Sequence, residues 1–106
     1  MTMREAISQA LWEEMESDEK VFIMGEEVGL WGGTYAVTRG FFDHFGAERV
    51  RDTPIAEGVI IGAANGAAMA GLRPVAEIMT INFALLAMDQ IVNHSAKLRS
   101  MFGGQF

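Results

Sequence analysis

No charged side chain occurs between Glu57 and Arg73, and the run between them is glycine, alanine and larger apolar residues interrupted only by Asn65. Arg49-Val50-Arg51-Asp52 leads into it as a strand. Thr53-Pro54 follows, where proline holds its predecessor extended and keeps the strand from continuing in a central position. The apolar run reads as a helix ending near Gly71, with Glu57 in its first turn, where the helix dipole favours a carboxylate. It is too short and too rich in glycine and alanine to span a bilayer. Gly58, Gly62 and Gly66 recur every four residues on one face, and small residues at that period admit a closely approaching helix. That spacing implies a tight helix–helix contact, a subunit contact being one form of it.

The rest of the chain alternates helix and strand. Thr2 and Glu5 make a capping-box pattern ahead of an amphipathic helix over about 3–17, with Ile7, Ala10, Leu11 and Met15 on its packing side. Val21-Phe22-Ile23-Met24 is a continuous apolar run, the pattern of a strand buried on both faces of a parallel sheet. A short helix is expected over 38–45, with Phe41, Phe42 and Phe45 inward and Gly46 closing it. A third strand is expected over Val75–Met79, then one long helix from Phe83 to about Met101 with Asn82 as N-cap. This order is the signature of an α/β fold, a parallel sheet with crossover helices.

Composition narrows the function. The 106 residues suffice for one modest domain with a real core. Fourteen acids against eight bases give a net charge of −6, the wrong sign for a nucleic-acid surface. There is no cysteine, which removes disulfides, zinc knuckles and thiol catalysis. The start, Met1-Thr2-Met3-Arg4-Glu5, lacks the basic-then-apolar layout of a secretory signal. A soluble intracellular protein, cytoplasmic or in an organelle matrix, is the expectation.

No phosphate loop, nucleophile elbow or dinucleotide fingerprint is present. His44 and His94 read as surface or packing residues, since no second ligand stands at metal-binding spacing from His44. Ligands in open α/β sheets collect beyond the carboxyl ends of the strands, so Gly25-Glu26-Glu27-Val28 and the glycine-rich loop after it read either as site lining or as a solvated turn. Glu57 likewise has two readings. It is a capping acid, or a carboxyl set among Ile55, Val59, Ile60 and Ile61 for general acid–base work on a ring nitrogen.

Several motifs resemble one family. They are Gly25-Glu26-Glu27-Val28, Val37-Thr38-Arg39-Gly40, Asp52-Thr53-Pro54-Ile55-Ala56-Glu57, Gly66-Ala67-Ala68-Met69-Ala70-Gly71-Leu72-Arg73-Pro74, Glu77-Ile78-Met79-Thr80 followed by Asn82-Phe83, and Asp89-Gln90-Ile91-Val92-Asn93. Together they resemble the beta subunit of thiamine-diphosphate-dependent 2-oxoacid dehydrogenases, pyruvate dehydrogenase most closely, nearly end to end. The resemblance implies the N-terminal part of a transketolase-like pyrimidine-binding domain over residues 1–106. It implies that Glu57 hydrogen-bonds the pyrimidine of thiamine diphosphate, sharing the proton that promotes the imino tautomer. It also implies that Phe83 lies against that ring, that Ile55 and Met79 make apolar contacts near it, and that Glu27 is an acid nearby.

The same resemblance implies partners. In that family the diphosphate and its Mg2+ are held by a G-D-G…N motif of an alpha subunit within a heterotetramer, and this sequence contains no Gly-Asp pair. A C-terminal domain absent from this chain docks the dihydrolipoyl acyltransferase core. Ala56 and Gly58 stand where relatives often carry serine and a bulkier residue, without touching the carboxylate. Acetoin and branched-chain 2-oxoacid dehydrogenase beta subunits are alternatives within the same chemistry. A truncated, non-catalytic interaction module, inactive alone, is the alternative outside it.

Overall fold

Three short strands pair in parallel to form the sheet on which the chain is built, with the apolar run at its centre. The computed structural model describes residues 1–106. Helix α1 (Met3–Ser17) precedes strand β1 (Val21–Gly25), α2 (Phe41–Phe45), β2 (Val50–Asp52), α3 (Glu57–Met69) and β3 (Arg73–Ala76). The strand order is β2-β1-β3, with Ile23 opposite both Val50 and Val75. The parallel α/β expectation therefore holds.

Because side chains alternate along a strand, β1 supplies two cores. Val21 and Ile23 join Met15, Val28, Phe41 and Val50 on one face, with Leu11, Trp12 and Phe45 packed against them. Phe22 and Met24 meet Ile60 and Ala64 of α3 on the other. The central strand is thus wholly buried, as its unbroken apolar run requires. Pro74 is tolerated because β3 is an edge. The backbone N–H groups of Arg73 and Glu77 donate to Lys20 and Met24 of the β1 side, and the alternation turns the Pro74 position outward.

The capping box forms as expected, with the Thr2 N–H on the Glu5 carboxylate at 2.6 Å and the Glu5 N–H on the Thr2 hydroxyl at 3.2 Å. The packing stripe of α1 is Ser8, Leu11, Trp12 and Met15, and Ile7, expected inward, is exposed. Helix α2 begins three residues later than expected. Gly40 takes φ 83° just before it and breaks the helical path, while Gly46 closes it at φ 80°.

Two expectations near the C-terminus are corrected. The third strand spans Arg73–Ala76, not Val75–Met79, because its partner β1 ends at Gly25. There the backbones crowd so closely that a Cβ on Gly25 would stand 3.0 Å from the Cβ of Glu77. The expected long helix from Phe83 to Met101, capped by Asn82, is instead a succession: a 3₁₀ helix over Ile81–Ala87, a π-helical stretch over Gln90–Ser95, and α4 (Leu98–Met101). The N-cap is Thr80, without a side-chain hydrogen bond.

Contacts with α3 account for the π-helical stretch. The Asn65 amide donates to the Gln90 carbonyl at 3.2 Å, and the Ser95 hydroxyl lies 2.7 Å from the Asn65 side-chain oxygen and 3.1 Å from the same carbonyl. A carbonyl taken by side chains is drawn off the regular i→i−4 ladder, and a wider turn results. The glycine face of α3 receives this segment from its own chain. The Leu86 carbonyl lies 3.4 Å from where a Cβ of Gly58 would be, and the Gln90 side chain 3.2 Å from that of Gly62.

Candidate functional site

The chain path singles out one end of the sheet. It leaves β1 for β2 on one side, then crosses through α3 to β3 on the other, so the strand order reverses between β1 and β3. Crevices in open parallel sheets lie at the carboxyl ends of the strands beside such a reversal. Here β1 runs into Glu26, β3 into Glu77, and β2 through Thr53-Pro54 into Glu57 at the start of α3. Three strand ends deliver three carboxyls to one edge.

Glu57 is 5% exposed and Glu26 is 9% exposed, a degree of burial that lone acids seldom tolerate. Burial pushes the Glu26 carboxyl above its ordinary range, and the Glu57 charge adds to the effect. Glu77 is raised as well, by burial first and then by the Glu26 charge. The three form a ladder of like groups in which each charge opposes the next. No group of three or more histidine, aspartate or glutamate side chains is arranged to hold a metal ion.

The loop after β1 is clamped tightly around this edge. Asp52 accepts hydrogen bonds from the N–H groups of Gly29 at 2.6 Å and Leu30 at 3.3 Å, and the buried Thr38 hydroxyl donates to the Val28 carbonyl at 2.6 Å. The Glu77 carboxylate approaches within 3.4 Å of a Cβ built on Gly33. Glu27 takes φ 57°, a left-handed conformation that costs a non-glycine residue about 1 kcal/mol. That twist turns Glu27 out to solvent and leaves Glu26 facing inward.

The expected site residues are distributed as follows. Glu57 is buried at the sheet edge, and Met79 is half-buried in the segment after β3. Phe83 is 37% exposed on the 3₁₀ helix packed against α3. Ile55 is 83% exposed, so it and Val59 do not shield Glu57; Ile60 is the aliphatic neighbour that is buried. Glu27 is exposed, while Glu26 before it is buried. Glu26 enters the sequence reading only as part of the possible site-lining turn at 25–28, and Glu77 only as part of an expected strand, although each follows a strand's last residue, a position that marks it. A cleft of about 530 Å3 opens beside Glu57, between the start of α3 and Leu86, Asp89 and Gln90. The Thr53 and Thr80 hydroxyls are buried without a hydrogen-bond partner.

Residues 1–103 match the family described as "Transketolase, pyrimidine binding domain". Among curated proteins, the chain is 54% identical over 105 residues to the mitochondrial pyruvate dehydrogenase E1 component subunit beta of Dictyostelium discoideum, covering 99% of this chain and 30% of that protein. It is 56% identical over 105 residues to the corresponding subunit of Rickettsia bellii, covering 99% and 32%, and 52% identical over 104 residues to that of Homo sapiens, covering 98% and 29%. The chain spans about a third of the length of these relatives. With a parallel α/β sheet, buried acids at its carboxyl edge and a family match over almost every residue, the chain belongs to the transketolase pyrimidine-binding domain family.

Proposed function

We propose that this chain is part of the beta subunit of a thiamine-diphosphate-dependent 2-oxoacid dehydrogenase acting on pyruvate, and that it supplies the pyrimidine side of the cofactor site. The observation that carries the reading is Glu57 at the head of α3, a residue only 5% exposed whose carboxyl opens onto the cleft with no hydrogen bond to the chain. A carboxyl with open acceptor sites facing a cleft can hydrogen-bond a ring nitrogen placed there. The relatives, all named as pyruvate dehydrogenase beta subunits, favour pyruvate over acetoin or branched-chain substrates.

The residues fit the pyrimidine end of thiamine diphosphate. Glu57 offers the carboxyl, Met79 and Phe83 offer apolar surface, and the unpartnered Thr80 hydroxyl lies in sequence between them. When bound, the cofactor supplies a carbon nucleophile and electron sink for decarboxylation. The chain's own part is to exchange a proton at a Glu57 oxygen, and Glu26 beside it sets the electrostatic setting for that exchange. The diphosphate and its Mg2+ are assigned to an alpha subunit, and the exposed apolar residues Ile55, Val59, Leu85 and Leu86 offer a surface for it. The dihydrolipoyl acyltransferase core is the further partner of the whole assembly.

Glu57→Gln in the assembled enzyme should lower pyruvate decarboxylation at least a hundredfold, the scale of a lost acid–base group, while size-exclusion chromatography shows intact assembly. Near-normal turnover in that variant refutes the proton role. A substrate panel in which acetoin or a branched-chain 2-oxoacid outperforms pyruvate refutes the substrate assignment.

A further inference from the structure

Away from the sheet edge, a cleft of about 400 Å3 separates α1 from the loop preceding α2. Its α1 wall carries Arg4, Ser8 and Trp12, spaced so that all three lie in one row along the helix. Ala36 and Arg39 form the facing wall. Arg39 belongs to the Val37-Thr38-Arg39-Gly40 motif, which the proposed function leaves unused.

Neither Arg4 nor Arg39 has an acceptor within the chain. Each of the other four arginines does. Arg49 donates to the carbonyls of Val21, Met15 and Asp18, Arg51 to that of Glu48 and Arg99 to that of Phe106, while Arg73 pairs with Asp18. The two arginines with no hydrogen-bond acceptor or salt bridge within the chain, Arg4 and Arg39, line opposite walls of the same cleft. Glu5, which also lines the cleft, accepts from the Thr2 N–H and interacts electrostatically with Arg4. Guanidinium groups with open donors match carboxylate and phosphate oxygens in a bidentate geometry.

The cleft is also stiff. Trp12 is fixed by Phe41, His44 and Phe45, at centroid separations of 5.0, 4.5 and 4.9 Å. Ala36 is held at φ 56°, a strained conformation for a residue with a Cβ. A rigid wall lowers the ordering cost of binding, and the volume lies within the range of small-molecule sites. We propose that this cleft binds a small polyanionic metabolite, a phosphate ester or a polycarboxylate, between Arg4 and Arg39.

The test is isothermal titration of the full chain at low ionic strength with pyrophosphate and with citrate, following the Trp12 indole N–H resonance in parallel. Saturable binding of at least one probe, with a shift of that resonance, is expected. Arg4→Gln and Arg39→Gln should each weaken it about tenfold, the worth of a charge-assisted hydrogen bond. Arg51→Gln, an exposed arginine elsewhere, should leave it unchanged. Preference for pyrophosphate identifies a phosphate ester, and preference for citrate a polycarboxylate. The proposal is overturned if neither probe saturates, if Arg51→Gln weakens binding as much, or if only polyglutamate binds, which would make the cleft a protein-docking surface.

Discussion

The two faces of the sheet are built on opposite principles. The face covered by α1 and α2 is aromatic and closed: Trp12, Phe41 and Phe45 interlock, and Arg49 ties three carbonyls of α1, the following turn and β1 into one clamp. The face covered by α3 is thin, built from Phe22, Met24, Ile60 and Ala64. The segment behind α3 changes winding twice and leaves Ile81, Leu85 and Leu86 88%, 73% and 68% exposed. The first face completes itself, while the second presents apolar surface of the kind that marks interaction sites. The buried Glu57 stands at the head of that second face. The closed side serves as the scaffold, and the open side is where the proposed cofactor acid and the exposed apolar surface lie.

Substitutions can break or sharpen this contrast. Phe41→Ala should cost the chain about 3–5 kcal/mol in chemical denaturation, whereas Leu86→Ser should change it by less than about 0.5 kcal/mol, as exposed positions do. Equal losses would erase the distinction between the faces. Arg49→Met should cost about 2–3 kcal/mol, because three carbonyls lose a charged donor. Asn65→Ala should cost about 1 kcal/mol and speed amide exchange through 90–95 specifically, since the Gln90 carbonyl loses one of its two side-chain donors and the Ser95 hydroxyl loses an acceptor.

The glycine face offers a finer test. Gly66 has open space where a Cβ would go, so Gly66→Ala should stabilise the chain by roughly 0.5–1 kcal/mol. Gly62→Ala gains less, because the Gln90 side chain has to move. The smallest effect concerns pH. Glu26 and Glu77 hold protons in the folded state more tightly than in the unfolded chain. Their contribution is therefore complete below the ordinary carboxyl value of 4.5 and is lost as pH rises above it. Glu77→Gln should flatten that decline in urea-midpoint measurements from pH 4 to 7; an unchanged slope would show that the carboxyl is not strained.

Much of the site could be read from residue order, because it depends on local signals. Pro54 ends β2, the apolar run makes α3, and Glu57 must then stand between them at the sheet edge. The choice between Glu26 and Glu27 could not be read, since both are acids in the same turn and the left-handed φ of Glu27 decides which faces in. The winding of 81–101 was equally hidden. Its apolar spacing suits a long helix, and the cross-links from Asn65 to Gln90 and Ser95 widen the turn at 90–95.

By itself, then, the order of residues determined the parallel α/β architecture, the double burial of β1 and the placing of one acid at the head of an uncharged helix. Those features follow from periodicity, proline and burial, which act over a few residues. Tertiary structure alone decided that three carboxyls share one edge of the sheet, that Ile55 stays in solvent and that the glycine face is taken up by the chain's own later segment. Those outcomes depend on which strand ends and which backbone groups the fold brings together across long separations in the sequence, and no local pattern encodes that.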